Sequence, residues 1–450
     1  MIKAYTSKKC STLQAHTSPI SFSNDPPTSK EALTGPHSSD FLQAELDKLC
    51  QLNTWSIVNR DEIKNQSAIL HSTWVYKIKR LPSGLIDKFK ARLCASEDLQ
   101  QHGLNNSETY SSFVQWSTVC LCLILAHKYE LLTHQCDYSN AYCQSPLEEE
   151  LYMEIPPRFS CNVRTKKRFR CNHARKRRNK YVLKLNMALR GLWQAGFKWF
   201  QFLSSFLLNN GFTQSYVESC LFYNNELVIL IYVDNTLFIA KNQSSLDDIL
   251  PALKWTFLLT EESDIHTFLG IKFTTTSEGN ITLTQTKLTD KVLALTDLAT
   301  ANSVPTPATT NLDHDNYGLE RETEWHYRQI VGVLTYISYN TRLDITFAVN
   351  QVSRYCNNPK RSHERAVKRV LRYLRGTCTN SIIIPPQLLD CYVDADFSEL
   401  WRSDNSSDPI SVRSRTGYVI MFCGTPLLWY SKLQSEVALS TVEAEYIALS

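Results

Sequence analysis

Residues 227–240 read LVILIYVDNTLFIA. Two apolar runs, rich in β-branched residues, flank one polar pair, Asp234–Asn235. Such runs read as buried strands, and Asp-Asn reads as the tight turn joining them into a hairpin. An ionised carboxylate at the tip of an apolar hairpin is costly unless it is paired or holds a metal. Taken alone, the pair favours the plainer reading of a turn, because both residues tolerate left-handed backbone.

A second carboxylate changes that reading. Residues 135–156 are QCDYSNAYCQSPLEEELYMEIP, and Asp137 follows a mainly apolar segment, 117–132. Asp137 and Asp234 stand 97 positions apart, so only a sheet brings them together. Two converging carboxylates repel unless divalent cations sit between them. Two-metal phosphoryl transfer uses such pairs, with ions about 3.5–4 Å apart on the attacking and leaving oxygens. Mg²⁺ suits the task because it takes oxygen ligands, keeps waters and shares substrate phosphates.

Ordered motifs extend the pattern over residues 40–450. They are WVYKIKRLPSGLIDKFKARL (74–93), QCDYSNAY (135–142), LNMALRGLWQAGFKW (185–199), LIYVDN (230–235) and TFLGIKF (267–273). The run 327–377, then YVDADF and ALSTVEAEYIAL (438–449), complete them. In this order the set resembles the reverse transcriptase of copia-type long-terminal-repeat retrotransposons, followed by the start of an RNase H domain. The resemblance implies an α+β fold: a right-hand polymerase of fingers, palm and thumb with an incomplete C-terminal RNase H-like α/β module. It divides the chain into a disordered segment (1–38), fingers and palm (39–299) with a basic insertion (158–180), a linker (300–320), thumb or connection helices (321–385) and a partial RNase H-like part (386–450).

The resemblance also assigns roles. Asp137 and Asp234 are the metal ligands for two Mg²⁺ ions, and Asn235 stands where the family has a third carboxylate. Tyr142 matches the steric gate under the incoming sugar; its plainer reading is a core aromatic. Lys90 and Arg92 match the cations that hold the triphosphate, Arg by its two-pronged fork; otherwise they line a solvated strand edge. Gln194 matches the polar residue near the nucleotide, against a simple helix-surface amide. Asp394 and Glu445 match the first two carboxylates of an RNase H site, whose further acids would lie beyond Ser450, so RNA cleavage is not expected of this sequence. The implied partners are an RNA template, a DNA primer, their RNA/DNA hybrid and deoxynucleoside triphosphates. The implied setting is intracellular, in cytoplasmic virus-like particles and in the nucleus where integration occurs.

Several positions depart from the family pattern. Asn235 keeps an oxygen acceptor but loses a negative charge, which weakens attraction for Mg²⁺. Arg190 and Trp193 replace a tyrosine and a lysine, Gly196-Phe197 replace proline-arginine, and Leu343 replaces the proline of an arginine-proline-aspartate turn. Glu97 and Asn105-Asn106 are further departures. These changes, with no protease or integrase upstream, lead to the expectation of a decayed or partial element copy. A nucleic-acid-binding remnant without chemistry is therefore the alternative to an active polymerase, and an unstable remnant is the third option.

Bulk properties bound these readings. At 450 residues with 43% hydrophobic content the chain supports two or three cored units. No secretory signal or membrane-length apolar run is visible. The fourteen cysteines form no regular framework, which suggests reduced thiols. The net charge of +4 hides an asymmetry: ten of the 48 Lys and Arg lie in 164–180, leaving 38 against 44 acidic residues, or −6, elsewhere. That run reads first as a solvated insertion, and second as a phosphate-tracking segment or nuclear address. Cys161, Cys171 and His173 lie in or beside it without a recognised zinc spacing.

Local patterns predict helices over 40–52 (Asp40 as N-cap), 116–130, 197–210 (Gly211 as stop) and 362–376. They also predict a hairpin over 73–95 turning at Pro82-Ser83-Gly84, and strands near 389–397 and 417–431 before a helix at 442. The 362–376 helix has a basic face of Lys368, Arg369, Arg372 and Arg375 that either grips template–primer or is solvated.

Overall fold

The computed structural model describes residues 38–63, 69–80, 86–96, 112–156, 159–162, 168–170, 180–262, 267–276, 280–308, 312, 314–315, 317–384, 390–398, 410–422 and 424–449. The expectations for 1–37, for the Pro82-Ser83-Gly84 turn and for most of the basic run 164–180 fall outside them. Helices combine with largely antiparallel sheets, which is the expected α+β class.

The described residues within Met1–Ser112 and Tyr138–Asn209 form one compact unit. Its four-stranded sheet runs Trp55–Asn59, Tyr181–Met187, Pro146–Glu154, Ile69–Leu70. Strands Ser72–Arg80 and Ile86–Ala95 make the expected long hairpin. Period-two burial decides which face it packs: Trp74 and Tyr76 are inside while Val75 is exposed, and Ala91, Leu93 and Ala95 are inside. These side chains join Leu46 and Leu49 of helix Ser38–Gln51, Leu151, Met153, Leu183 and Leu185 in one core. That helix begins at Ser38, so Asp40 lies within it and not at its N-cap. Helix Ala195–Asn209 buries Ala195, Trp199, Leu203 and Leu207, a stripe at fourfold spacing. Its Trp199 ring meets Tyr138 edge-on at 5.1 Å. Gly211, just beyond, has φ +83°, the left-handed stop that glycine supplies.

The described residues within Phe113–Asp137 and Asn210–Ser450 form the second unit. Its six-stranded sheet runs Thr213–Gln214, Leu221–Tyr223, Leu227–Tyr232, Asn235–Ala240, Leu132–Tyr138, Leu259–Glu262. Helix Trp116–Lys128 is buried along Val119, Cys120, Leu123 and Ile124, and helix Gln243–Thr256 is capped by Asn242, whose side chain accepts from the Ser245 N–H. A four-stranded sheet and helices Thr286–Leu295, Tyr327–Asn340, Thr346–Ser353 and Arg361–Gly376 follow. The last part is a three-stranded antiparallel sheet, Asp390–Ala395, Arg415–Phe422 and Thr425–Leu433, with helix Thr441–Leu449. The single strand expected near 417–431 is thus two strands of a hairpin, because Gly424 at φ +67° reverses the chain.

Residues Ala299, Asn302 and Thr306, the last two within the stretch expected to be a linker, pack along the basic helix. Arg375 donates to the Ala299 carbonyl at 2.8 Å, Arg372 to that of Asn302 at 2.6 Å, and Arg369 to the Thr306 hydroxyl at 2.7 Å. Its basic face is therefore partly covered by its own chain, a third outcome beside nucleic acid or solvent. A cavity of about 760 Å³ remains there, lined among others by Leu298, Pro307, Leu312, Val352 and Arg365. Among the described cysteines Cys50 is disulfide-bonded, which departs from the expectation of reduced thiols; Cys94, Cys120, Cys122, Cys136, Cys143, Cys220, Cys356, Cys378 and Cys391 are free. No helix among the described residues is long and apolar enough to cross a membrane.

Candidate active site

The hairpin Leu227–Ala240 forms as its sequence demands, with one correction. Tyr232 pairs with Asn235, so the two-residue loop is Val233–Asp234 and Asn235 already belongs to the second strand. Val233 takes φ +54°. A positive φ at the first loop position is the type II′ pattern, which normally uses glycine. A β-branched residue there is under strain of about 1–3 kcal/mol. Eleven of the twelve strand residues are apolar or buried enough to fix the register, and burial runs through Leu227, Ile229, Leu230, Ile231, Leu237, Phe238 and Ile239.

Strand Leu132–Tyr138 lies antiparallel against Asn235–Ala240, with Asp137 directly opposite Asn235. The carboxylates separated by 97 positions in sequence are thereby brought to the same end of adjacent strands. Asp137 is exposed and Asp234 half-buried. Asn235 Nδ2 donates to Asp234 Oδ1 at 3.1 Å, and Asn235 Oδ1 accepts from Gln135 Nε2 at 3.3 Å. Burial, then the negative charge of Asp234, pushes the Tyr232 hydroxyl above its usual pKa. The Thr260 hydroxyl reaches the Asp137 carbonyl at 3.5 Å, and Glu261 on the same strand is held below the usual carboxylate range, first by its hydrogen bond from Lys254.

Among the described residues no group of three or more His, Cys, Asp or Glu side chains is placed to hold a metal ion. Asp137, Asp234 and the Asn235 amide supply oxygen donors only. That donor set fits a hard cation that takes few protein ligands and keeps its waters, while the amide supplies less charge than a third carboxylate.

Tyr142, Arg92 and Gln194 belong to the first unit. Tyr142 is half-buried in the short 3₁₀ turn Ala141–Gln144, entered through Asn140 at φ +52°. The Arg190 guanidinium lies 5.6 Å from the centre of its ring. Asn140 donates to Glu45 at 3.5 Å. Burial pushes the Glu45 carboxyl up, against the opposing charges of Arg190, Lys48 and Arg92. Gln194 is 1% exposed, so it is not a helix-surface amide. Lys90 sits opposite Lys77 in the hairpin register; its side chain is outside the described residues. Gly191 fixes the neighbouring turn: it has φ +89°, and a Cβ there would stand 1.9 Å from the Ala95 carbonyl oxygen, the strand end after Arg92. The Ala95 N–H in turn donates to the Arg190 carbonyl at 2.8 Å.

Asp394, on strand Asp390–Ala395, and Glu445, on helix Thr441–Leu449, lie together in the second unit, and that strand belongs to a different sheet from Asp137. Glu445 accepts from the Ala395 N–H at 3.4 Å, next to the exposed Asp394. Sequence reasoning missed Gln135 and Glu45. Gln135 carried a signal, a polar residue at an inward position two before Asp137. Glu45 carried none, since one acid on an amphipathic helix reads as solvated.

A family model described as reverse transcriptase (RNA-dependent DNA polymerase) matches residues 52–310. The chain belongs to the reverse transcriptase family. The copia-type resemblance agrees with its relatives. It is 31% identical over 447 residues to the retrovirus-related Pol polyprotein from transposon TNT 1-94 of Nicotiana tabacum, covering 95% of this chain and 32% of that protein. It is 32% identical over 437 residues to the Pol polyprotein from transposon RE2 of Arabidopsis thaliana, covering 95% of this chain and 28% of that one. The chain thus spans about a third of the length of these relatives. A solved foamy viral protease–reverse transcriptase bound to double-stranded DNA is 11% identical with TM-score 0.41, covering 90% of this chain and 57% of that one. That likeness is too distant to carry weight. In this chain Asp137 and Asn235 occupy adjacent strands of one sheet, with Asp234 in the loop next to Asn235, while Lys90, Arg92, Tyr142 and Gln194 lie in the other unit.

Proposed function

We propose that the chain acts as an RNA-directed DNA polymerase of a retrotransposon. A primer 3′-hydroxyl attacks the α-phosphate of a deoxynucleoside triphosphate and pyrophosphate leaves. The observation that carries this reading is the pairing of Asp137 with Asn235, which sets two carboxylates at one strand end. In this reading Asp137 and Asp234 hold Mg²⁺, with Asn235 beside them lacking the charge of a third carboxylate. Bound there, two such ions would offset charge on the attacking and leaving oxygens. Lys90 and Arg92 take the triphosphate, Tyr142 excludes a 2′-hydroxyl, and Gln194 supports the nucleotide. RNA template, DNA primer and their hybrid are the partners, in an intracellular setting. Asp394 and Glu445 are the start of an RNase H-like site.

Primer extension on an RNA template with Mg²⁺ tests this, beside Asp234→Ala and Asn235→Asp. We expect weak extension by the unaltered chain, none with Asp234→Ala, and a rise of at least tenfold with Asn235→Asp. Silence from all three folded proteins would favour a nucleic-acid-binding remnant without chemistry.

A further inference from the structure

We infer that Gln135 is a positioning residue for the cation site, acting through the side-chain relay Gln135 to Asn235 to Asp234. The inference rests on the proposed metal-dependent function. It stands on three observations in the second unit. Gln135 and Asp137 are two apart on strand Leu132–Tyr138, so they share the face that Asn235 and Leu237 present from the next strand. The Gln135 Nε2 donates to Asn235 Oδ1 at 3.3 Å, and Asn235 Nδ2 donates to Asp234 Oδ1 at 3.1 Å. Gln135 is 9% exposed, and its Oε1 is buried with no hydrogen-bond partner.

The last point separates positioning from scaffolding. A buried acceptor left unpaired is a stability cost that leucine, of similar size, would not carry. Gln135 therefore lowers stability where it stands, and its one side-chain hydrogen bond is directed at the residue beside the proposed ligand. The relay also needs an amide at 235. An amide accepts from Gln135 with its oxygen and donates to Asp234 with its nitrogen, whereas a carboxylate can do only the first. One hydrogen bond to Oδ1 fixes the rotamer of Asp234 and leaves Oδ2 available to a cation. Groups that orient metal ligands in this way commonly govern affinity by about 10–100-fold.

The test uses the full chain and the Gln135→Leu variant. Divalent-cation affinity is read by titrating Mn²⁺ and detecting the free ion by electron paramagnetic resonance, with Asp234→Ala identifying the site. The relay itself is read without any metal, from solvent exchange of the Asn235 side-chain amide in asparagine-labelled protein, assigned by its loss in Asn235→Ala. We expect Gln135→Leu to melt at the same or a higher temperature, to speed Asn235 amide exchange, and to raise the Mn²⁺ dissociation constant at least tenfold. In the Asn235→Ala background the same change should do nothing to affinity, because the path is already broken. Unchanged amide exchange in Gln135→Leu overturns the relay. So does an equal affinity loss in the Asn235→Ala background. Mn²⁺ binding that is indifferent to Asp234→Ala instead overturns the metal-site reading, and amide exchange still judges the relay. If Gln135→Leu does not fold, Gln135→Met carries the same measurements.

Discussion

At the scale of the residue, two backbone positions carry more than their side chains suggest. Val233 holds the hairpin tip at φ +54°, beside Asp234. Glycine would release steric strain there but add flexibility to the unfolded chain, and the first effect is the larger. Val233→Gly is expected to stabilise the protein by about 1 kcal/mol in urea unfolding, while loosening Asp234 and lowering extension. Equal or lower stability would mean that the loop is unstrained. Gly191 is the opposite case, since its missing Cβ lets the Ala95 carbonyl approach. Gly191→Ala adds overpacking to an unfavourable φ, a loss of about 3 kcal/mol or more. Wild-type-like unfolding of that variant would show that the turn can move aside.

Between elements, polar staples do what apolar packing does inside the sheets. Buried Arg342 donates to both Asp344 oxygens, at 2.9 and 2.7 Å, and to the Thr377 carbonyl at 2.8 Å. It thereby joins the turn after helix Tyr327–Asn340 to the end of helix Arg361–Gly376. Leu343 leaves this pairing intact although the family has proline there. Arg342→Ala removes the bonds to the Thr377 carbonyl and to the exposed Asp344 carboxylate, and is expected to cost about 1–2 kcal/mol, measured by chemical denaturation. Burial alone would raise the Asp344 pKa, but the Arg342 hydrogen bonds and charge outweigh it and the result is below the usual 3.8. A lowered folded pKa means stability that is complete above 3.8 and lost as pH falls through the folded value. The gap in melting temperature between the unaltered chain and Arg342→Ala should therefore narrow below pH 3.8, leaving only the part owed to the Thr377 bonds. A gap undiminished at low pH would place the whole effect outside the Asp344 pairing.

For the molecule as a whole, charge distribution is the property that sequence alone fixes. Removing 164–180 changes the formal charge from +4 to −6, because ten basic and no acidic residues leave. Association with RNA should then weaken several-fold at low ionic strength and converge with the parent at high salt. This holds whether or not the segment touches nucleic acid. A loss that survives high salt would instead indicate direct, shape-dependent contacts.

The sequence by itself determined the strands around Asp234, the helix stripe of Ala195–Asn209, the long hairpin over 73–95 and the family. Each depends on local periodicity or ordered motifs, which are written in consecutive residues. Tertiary structure alone decided that the loop is Val233–Asp234 and that Asp137 stands opposite Asn235. It also decided that Gln135 reaches Asn235, and that the basic helix is covered by residues 299–306. The reason is the same throughout. Register and side-chain pairing across 60 to 100 positions are set by which faces pack together, and no local pattern encodes that choice.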